Sequence, residues 1–139
     1  MNILSLNGIW QGLCIRPDGT SFAMDASVPG SSIADLIRAG HLPADLYWRD
    51  NAEAVLEYET CSYDYERTFT LEKAADTEYT LHFHRLDTYC GITLNGTPVA
   101  STMDGHIPYD FDIPYFLLYK LLALYFSIYY PATLVKNHF

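Results

Sequence analysis

Basic residues are scarce in this chain. Eight Lys and Arg stand against seventeen Asp and Glu, for a formal net charge of −9. The eight are scattered and form no patch, and nucleic-acid phosphates need clustered cations, so nucleic acid is excluded as a partner. There are three cysteines, Cys14, Cys61 and Cys90, and no CxxC or Cys/His spacing of the kind that builds a zinc site. They read as small buried hydrophobes in a reducing compartment. No P-loop or GxGxxG is present, which removes the common phosphate cradles. The N-terminus, Met1-Asn2-Ile3-Leu4-Ser5-Leu6, has neither a basic n-region nor a long apolar run, so a cytoplasmic location is expected.

Catalytic patterns are equally sparse. Ser31-Ser32 follows Pro29-Gly30 without the GxSxG frame of a nucleophile elbow. Glycoside hydrolysis needs two facing carboxyl groups, about 5–5.5 Å apart for retention and about 6.5–9.5 Å for inversion. Asp50, Glu53, Glu57, Glu59, Asp87, Asp104, Asp110 and Asp112 are the candidates, and no local motif pairs any two. They read as solvated strand faces and turns, with Asp87 accepting backbone N–H groups at a strand start. His82 and His84 share one face of a strand, but no third ligand has suitable spacing. No catalytic residue, metal or cofactor is expected.

What is present is a β pattern. Half the residues are apolar, and twelve tyrosines contribute to 15% aromatics, a composition that favours ordered strands. At 139 residues, one domain with a real core is expected. Residues 6–15 read as a first strand with Trp10 as core anchor, and Ser21 to Val28 as a second after the Asp18-Gly19 turn. Ser32 as N-cap with Asp35 three residues on resembles a capping box opening a short helix that ends at Gly40. Tyr63, Tyr65, Arg67, Phe69 and Leu71 alternate on one strand face. Tyr79, Leu81 and Phe83 mark the next strand, and His106 to Ile113 a later one. Between the last two, Ile92 and Leu94 lead into Asn95-Gly96, the pair that a two-residue type I′ hairpin turn demands. Short strands at this spacing with one short helix predict an all-β, antiparallel jelly-roll β-sandwich.

Residues 41–58 have no clean period and read as a structured loop with a helical turn near Asn51 to Leu56. Within it lies Tyr47-Trp48-Arg49-Asp50-Asn51. Trp48 offers an aromatic face to sugar C–H surfaces, while Arg49, Asp50 and Asn51 offer planar polar groups to hydroxyls. These four are the candidate substrate-binding residues. The plainer alternative is a packed loop with an internal Arg–Asp pair.

Residues 114–139 differ from what precedes them. Asp112 is the last acidic residue, and Ile113 to Tyr130 is apolar except for Pro114, Lys120 and Ser127. Three readings stand. Leu121 to Tyr129 forms a buried closing strand; or 113–130 anchors the chain in a membrane, against which the mid-span Lys120 argues; or the end is altered or truncated. Exposed edges and a Tyr/Leu-rich tail are expected to promote self-association where closing strands do not form.

Six segments, in order, resemble glycoside hydrolase family two, and particularly its β-mannosidases. Leu6-Asn7-Gly8-Ile9-Trp10 resembles the opening "LNGxW" strand, and Val28 to Leu36 resembles "VPGxxhxDL". Leu42-Pro43 with Tyr47-Trp48-Arg49-Asp50-Asn51 resembles the "GLIPDPFYRDNE" loop. Tyr65 to Phe69 resembles "YxRxF", Leu86 to Gly96 resembles "LDTYAxIxLNG", and His106 to Ile113 resembles "HxPYxFDV". The resemblance covers residues 6–113 and implies a galactose-binding-type jelly roll, the non-catalytic N-terminal domain of an enzyme that removes terminal β-D-mannosides with retention. It implies that the two catalytic glutamates lie in a (β/α)₈ barrel of about 250 residues, to which nothing in this chain corresponds. The implied partners are the remaining domains of the parent glycosidase and mannosides. After Ile113 the resemblance ends; a frame change or truncation there would account for the change. A free carbohydrate-binding module is the alternative function, and a small membrane-anchored protein the other.

Overall fold

The computed structural model describes residues 3–114 and 121–129. Strands dominate: β1 (Gly8–Ile15), β2 (Ser21–Val28), β3 (Ser62–Thr70), β4 (Tyr79–Phe83), β5 (Tyr89–Leu94), β6 (Thr97–Thr102), β7 (Tyr109–Ile113) and β8 (Leu121–Tyr129). Helix α1 (Ser32–Arg38) and a 3-10 helix (Asn51–Tyr58) lie between β2 and β3, so the one expected helix is joined by a narrower, more tightly wound one where a helical turn was expected. The chain divides into two compact units, Met1–Tyr65 and Glu66–Phe139.

In the first unit β1 and β2 pair antiparallel, with Trp10 opposite Ala26 and Gly12 opposite Met24. Alternation puts Trp10, Gly12, Cys14, Met24 and Ala26 on the buried face. Gly12 is needed there, because a Cβ would sit 2.9 Å from the Met24 carbonyl oxygen. The Trp10 indole donates its N–H to the Leu6 carbonyl at 2.8 Å, so the buried ring has its polar atom satisfied.

The start of α1 corrects the sequence expectation. The N-cap is Ser31, not Ser32: its hydroxyl accepts the Ala34 N–H at 3.2 Å. Asp35 takes no part in a capping box. Its carboxylate is buried, accepts the Ser27 N–H of β2 at 3.0 Å and meets the Arg38 guanidinium at 3.0 Å. Gly40 follows the helix with φ +84°, the conformation that favours glycine after a helix C-terminus.

The second unit is a sandwich in itself. One sheet runs β8-β5-β6, with Ile92 opposite Phe126 and Leu94 opposite Leu124. The other is the antiparallel pair β4–β7, with Leu81 opposite Phe111. Phe83 of β4 meets Phe126 of β8 edge-on, ring centroids 6.1 Å apart, and also contacts Phe111. Such aromatic pairs contribute about 0.5–1.5 kcal/mol each beyond area burial. The stretch expected as a closing strand is β8, with Leu122, Leu124 and Phe126 buried. No helix among the described residues is long and apolar enough to cross a membrane. Residues 115–120 and 130 of the 113–130 anchor reading lie outside the described residues.

Asn95 and Gly96 both have positive φ, 51° and 80°, as the type I′ turn requires. Asn95 also continues the ladder beyond β5: its N–H donates to the Ala123 carbonyl at 2.9 Å, and its side-chain oxygen accepts the Ala123 N–H at 2.8 Å. Asn95→Ala is expected to cost about 2 kcal/mol, from left-handed backbone strain plus the lost bond to β8. A fall in the urea midpoint at unchanged m-value checks it. Among the described strands β6 lies at the sheet edge. It carries Pro98, and the β5–β6 register shifts between Ile92 and Thr93.

Candidate functional site

The loop that follows α1 is built around Asp45. Its carboxylate accepts the Tyr47 N–H at 3.0 Å, an Asx turn, and its carbonyl accepts the Trp48 N–H at 3.4 Å and the Asn51 side-chain amide at 2.7 Å. Asn51 N–H then donates to the Trp48 carbonyl at 3.1 Å, and Glu53 N–H to the Asp50 carbonyl at 3.0 Å, where the 3-10 helix begins. The tip from Tyr47 to Asp50 is thus clamped from both ends by local bonds.

This clamp decides what each residue presents. Tyr47 is 99% exposed and Trp48 58%. Arg49 sits in the left-handed region at φ 51°, and its guanidinium carbon lies 5.2 Å from the Trp48 ring centroid, within cation–π range. The tip therefore offers two aromatic rings, a guanidinium and the exposed Asp50 carboxylate. Asn51 directs its amide back to the Asp45 carbonyl. Among the described residues no Arg49–Asp50 ion pair closes the tip. Tyr47 is a candidate that the sequence reading left out of its binding set. Its signal was present as an aromatic beside Trp48 in a loop without hydrophobic period.

Next to this loop, Ser32, Ile33, Val55, Tyr58, Glu59 and Tyr63 line a shallow cavity of about 160 Å³. Among these, Tyr63 donates its hydroxyl to the Tyr58 carbonyl at 3.0 Å. Burial, with nearby Cys14 and Cys61, pushes the Tyr63 phenol well above the usual tyrosine range, so it stays a neutral donor.

The remaining candidates fall elsewhere. His82 and Asp110 face each other across β4 and β7 at 2.6 Å, both exposed, beside a Thr80–Asp112 hydrogen bond at 3.1 Å. Asp87 bonds the Thr88 hydroxyl. A Cβ on Gly105 would lie 2.6 Å from the Asp87 Oδ1, so glycine lets that segment close on Asp87. Among the described residues no group of three His, Cys, Asp or Glu side chains is placed to hold a metal ion. What the tip can do chemically is bind: stack, hydrogen-bond and pair charges.

The family model for the glycosyl hydrolase 2 galactose-binding domain-like family matches residues 14–134. The chain belongs to that family. Its galactose-binding-like fold, all-β with antiparallel sheets, recurs in solved glycoside hydrolases. A β-D-mannosidase from Dictyoglomus thermophilum superposes with a TM-score of 0.85 at 26% identity, over 99% of this chain and 17% of that one. An FMN-binding β-glucuronidase from Faecalibacterium prausnitzii gives 0.63 at 19% identity over 93% and 18%. A β-galacturonidase from Eisenbergiella tayi gives 0.58 at 18% identity over 89% and 18%. The last two share the fold. The galactose-binding-like chain spans less than a fifth of the length of each of these enzymes. No curated protein matches it.

Proposed function

We propose that this domain is the non-catalytic N-terminal sandwich of a β-mannosidase-like family two glycosidase, holding the catalytic barrel and presenting the Tyr47–Asp50 tip to the rim of the sugar site. The observation that carries this reading is the contrast in superposition. The mannosidase matches at 0.85 over nearly the whole chain, while the uronidases fall to 0.63 and 0.58. The tip chemistry supports it: exposed aromatic rings suit the C–H faces of a pyranose, and Arg49 with Asp50 suits its hydroxyls. The domain's partners are then the other domains of the parent enzyme and a terminal mannoside.

The test is a domain exchange. This chain replaces the corresponding segment of the Dictyoglomus thermophilum mannosidase, and hydrolysis of nitrophenyl β-mannoside and nitrophenyl β-glucuronide is measured. The exchanged enzyme is expected to keep mannoside activity, and the isolated 139-residue chain to show none. Trp48→Ala in the exchanged enzyme is expected to raise KM about tenfold, the loss of roughly one stacking contact. A folded but inactive exchange, or turnover by the chain alone, overturns the proposal.

The exposure of Tyr47 and Trp48 also favours a second reading, a free carbohydrate-binding module. It predicts saturable heat on titrating manno-oligosaccharides into the isolated chain. The scaffold reading predicts none without the barrel.

A further inference from the structure

The 3-10 helix that follows the tip presents a row of side chains that sugar binding at the tip leaves unused. A 3-10 helix has about three residues per turn, so side chains at i and i+3 stand one above the other. Over Asn51–Tyr58 and its C-cap this puts Glu53, Leu56 and Glu59 in one row. All three are exposed, Leu56 at 60%. The neighbouring row, Ala52, Val55 and Tyr58, runs from exposed to buried and carries the packing of the helix. Glu59 belongs both to the outward row and to the shallow cavity of about 160 Å³, whose apolar wall includes Val55 and Ile33, the latter 39% exposed. An aliphatic side chain between two carboxylates thus adjoins an apolar hollow.

The charge around the row has one sign. From Asp50 to Glu66 there are six Asp and Glu and no Lys, Arg or His. Among the described residues neither Glu53 nor Glu59 has an ion-pair partner. A second copy of the chain would bring the same acidic row and a net charge of −9, so like charges would meet. Complementarity asks for the opposite pattern: cation, aliphatic, cation. Spacing narrows it further. Successive members of the row are about 6 Å apart along the helix axis. Alternate residues of an extended chain, which share one face, are about 6.6 Å apart. The shortest segment that fits is therefore an extended one that reads base-x-aliphatic-x-base.

We infer that the Glu53–Leu56–Glu59 row and the adjoining cavity are the docking surface for an extended segment of a neighbouring domain in the parent enzyme. That segment sets an aliphatic side chain against Leu56 and the cavity wall, between two Lys or Arg residues. Its source rests on the reading of the chain as one domain of a larger glycosidase; the pattern of the surface does not. The apolar contact supplies most of the affinity, and the two exposed ion pairs fix register and orientation. Docking here also holds the base of the tip, because the Glu53 N–H is bonded to the Asp50 carbonyl at 3.0 Å.

The probe is the capped peptide Lys-Thr-Leu-Thr-Lys, titrated into the nitrogen-15-labelled 139-residue chain and followed by amide chemical shifts. Shifts confined to residue 33 and residues 52–63 are expected, saturating with a Kd of about 1 mM at low salt. Binding is expected to weaken about threefold between about 20 mM and about 200 mM salt. The peptide Glu-Thr-Leu-Thr-Glu is expected to give no shifts, and Lys-Thr-Ser-Thr-Lys to bind about tenfold more weakly. Leu56→Ser, and Glu53→Lys with Glu59→Lys, are expected to lose the response at an unchanged melting temperature, because these side chains are exposed. In the exchanged mannosidase, amides of residues 52–60 are expected to exchange hydrogen about tenfold more slowly than in the isolated chain. Equal shifts from the acidic and basic peptides, shifts centred outside 52–63, or none at about 10 mM peptide overturn the docking surface. An active exchanged enzyme without protection at 52–60 overturns the assignment of the segment to a neighbouring domain. A folded, inactive exchange that keeps this protection supports the docking surface while overturning the mannosidase reading.

Discussion

Trp10→Ala is expected to be the most damaging single substitution in the first unit, at about 3–5 kcal/mol. A typical domain has about 5–15 kcal/mol in all, so most of the chain's margin is at risk. The indole is 3% exposed on the inward face of β1, opposite Ala26. Alanine beside alanine leaves a void across the β1–β2 hairpin, and neither neighbour can fill it. The Leu6 carbonyl also loses the indole N–H that reached it at 2.8 Å. Trp10→Phe keeps most of the volume and loses only that bond, and should cost markedly less. Urea denaturation followed by far-ultraviolet circular dichroism separates the two, since fluorescence would change with the tryptophan itself. Near-equal midpoints for Trp10→Ala and wild type would refute the anchoring role.

Asp35→Ala is expected to cost about 3 kcal/mol, an effect that composition alone would assign to no surface-type residue on a short helix. The carboxylate is 1% exposed and does two jobs, accepting the Ser27 N–H of β2 and the Arg38 guanidinium. Its removal strands a part-buried backbone donor and leaves Arg38 without its partner. Arg38 is half exposed, so water recovers that side of the loss and the Ser27 donor dominates. Asp35→Asn keeps an acceptor for Ser27 and should cost about 1 kcal/mol. Arg38→Ala should fall in the range of exposed pairs, about 0–1 kcal/mol. The ordering of the three urea midpoints is the measurement, and an Arg38→Ala loss as large as that of Asp35→Ala would reverse the assignment.

The same two residues show what was legible in the sequence. Alternation exposed the buried face of β1, because Trp10, Gly12 and Cys14 need only period two to share a side. Ser21–Val28 was bounded by Asp18-Gly19 before it and Pro29-Gly30 after it, and its limits in the structure are those. Asn95-Gly96 announced its turn through backbone chemistry alone. The cap was not legible, because Ser31 and Ser32 are equally competent and the choice depends on where Asp35 goes. Asp35 goes to Ser27, eight residues back on another element, and no local spacing encodes that. The Asn95 bond to Ala123 is hidden for the same reason. In the candidate site, the residue types of 47–51 were readable. Their directions were not, because the Asp45 clamp turns Asn51 inward and leaves Tyr47 outside.

Pro98 on the edge strand β6 bears on how such a domain behaves in a crowd. An open strand edge is a template on which another chain can polymerise, and polymerisation needs a run of backbone donors at regular intervals. A proline removes one donor, and the register shift facing it breaks the interval. On that border the sheet is a poor template for another strand.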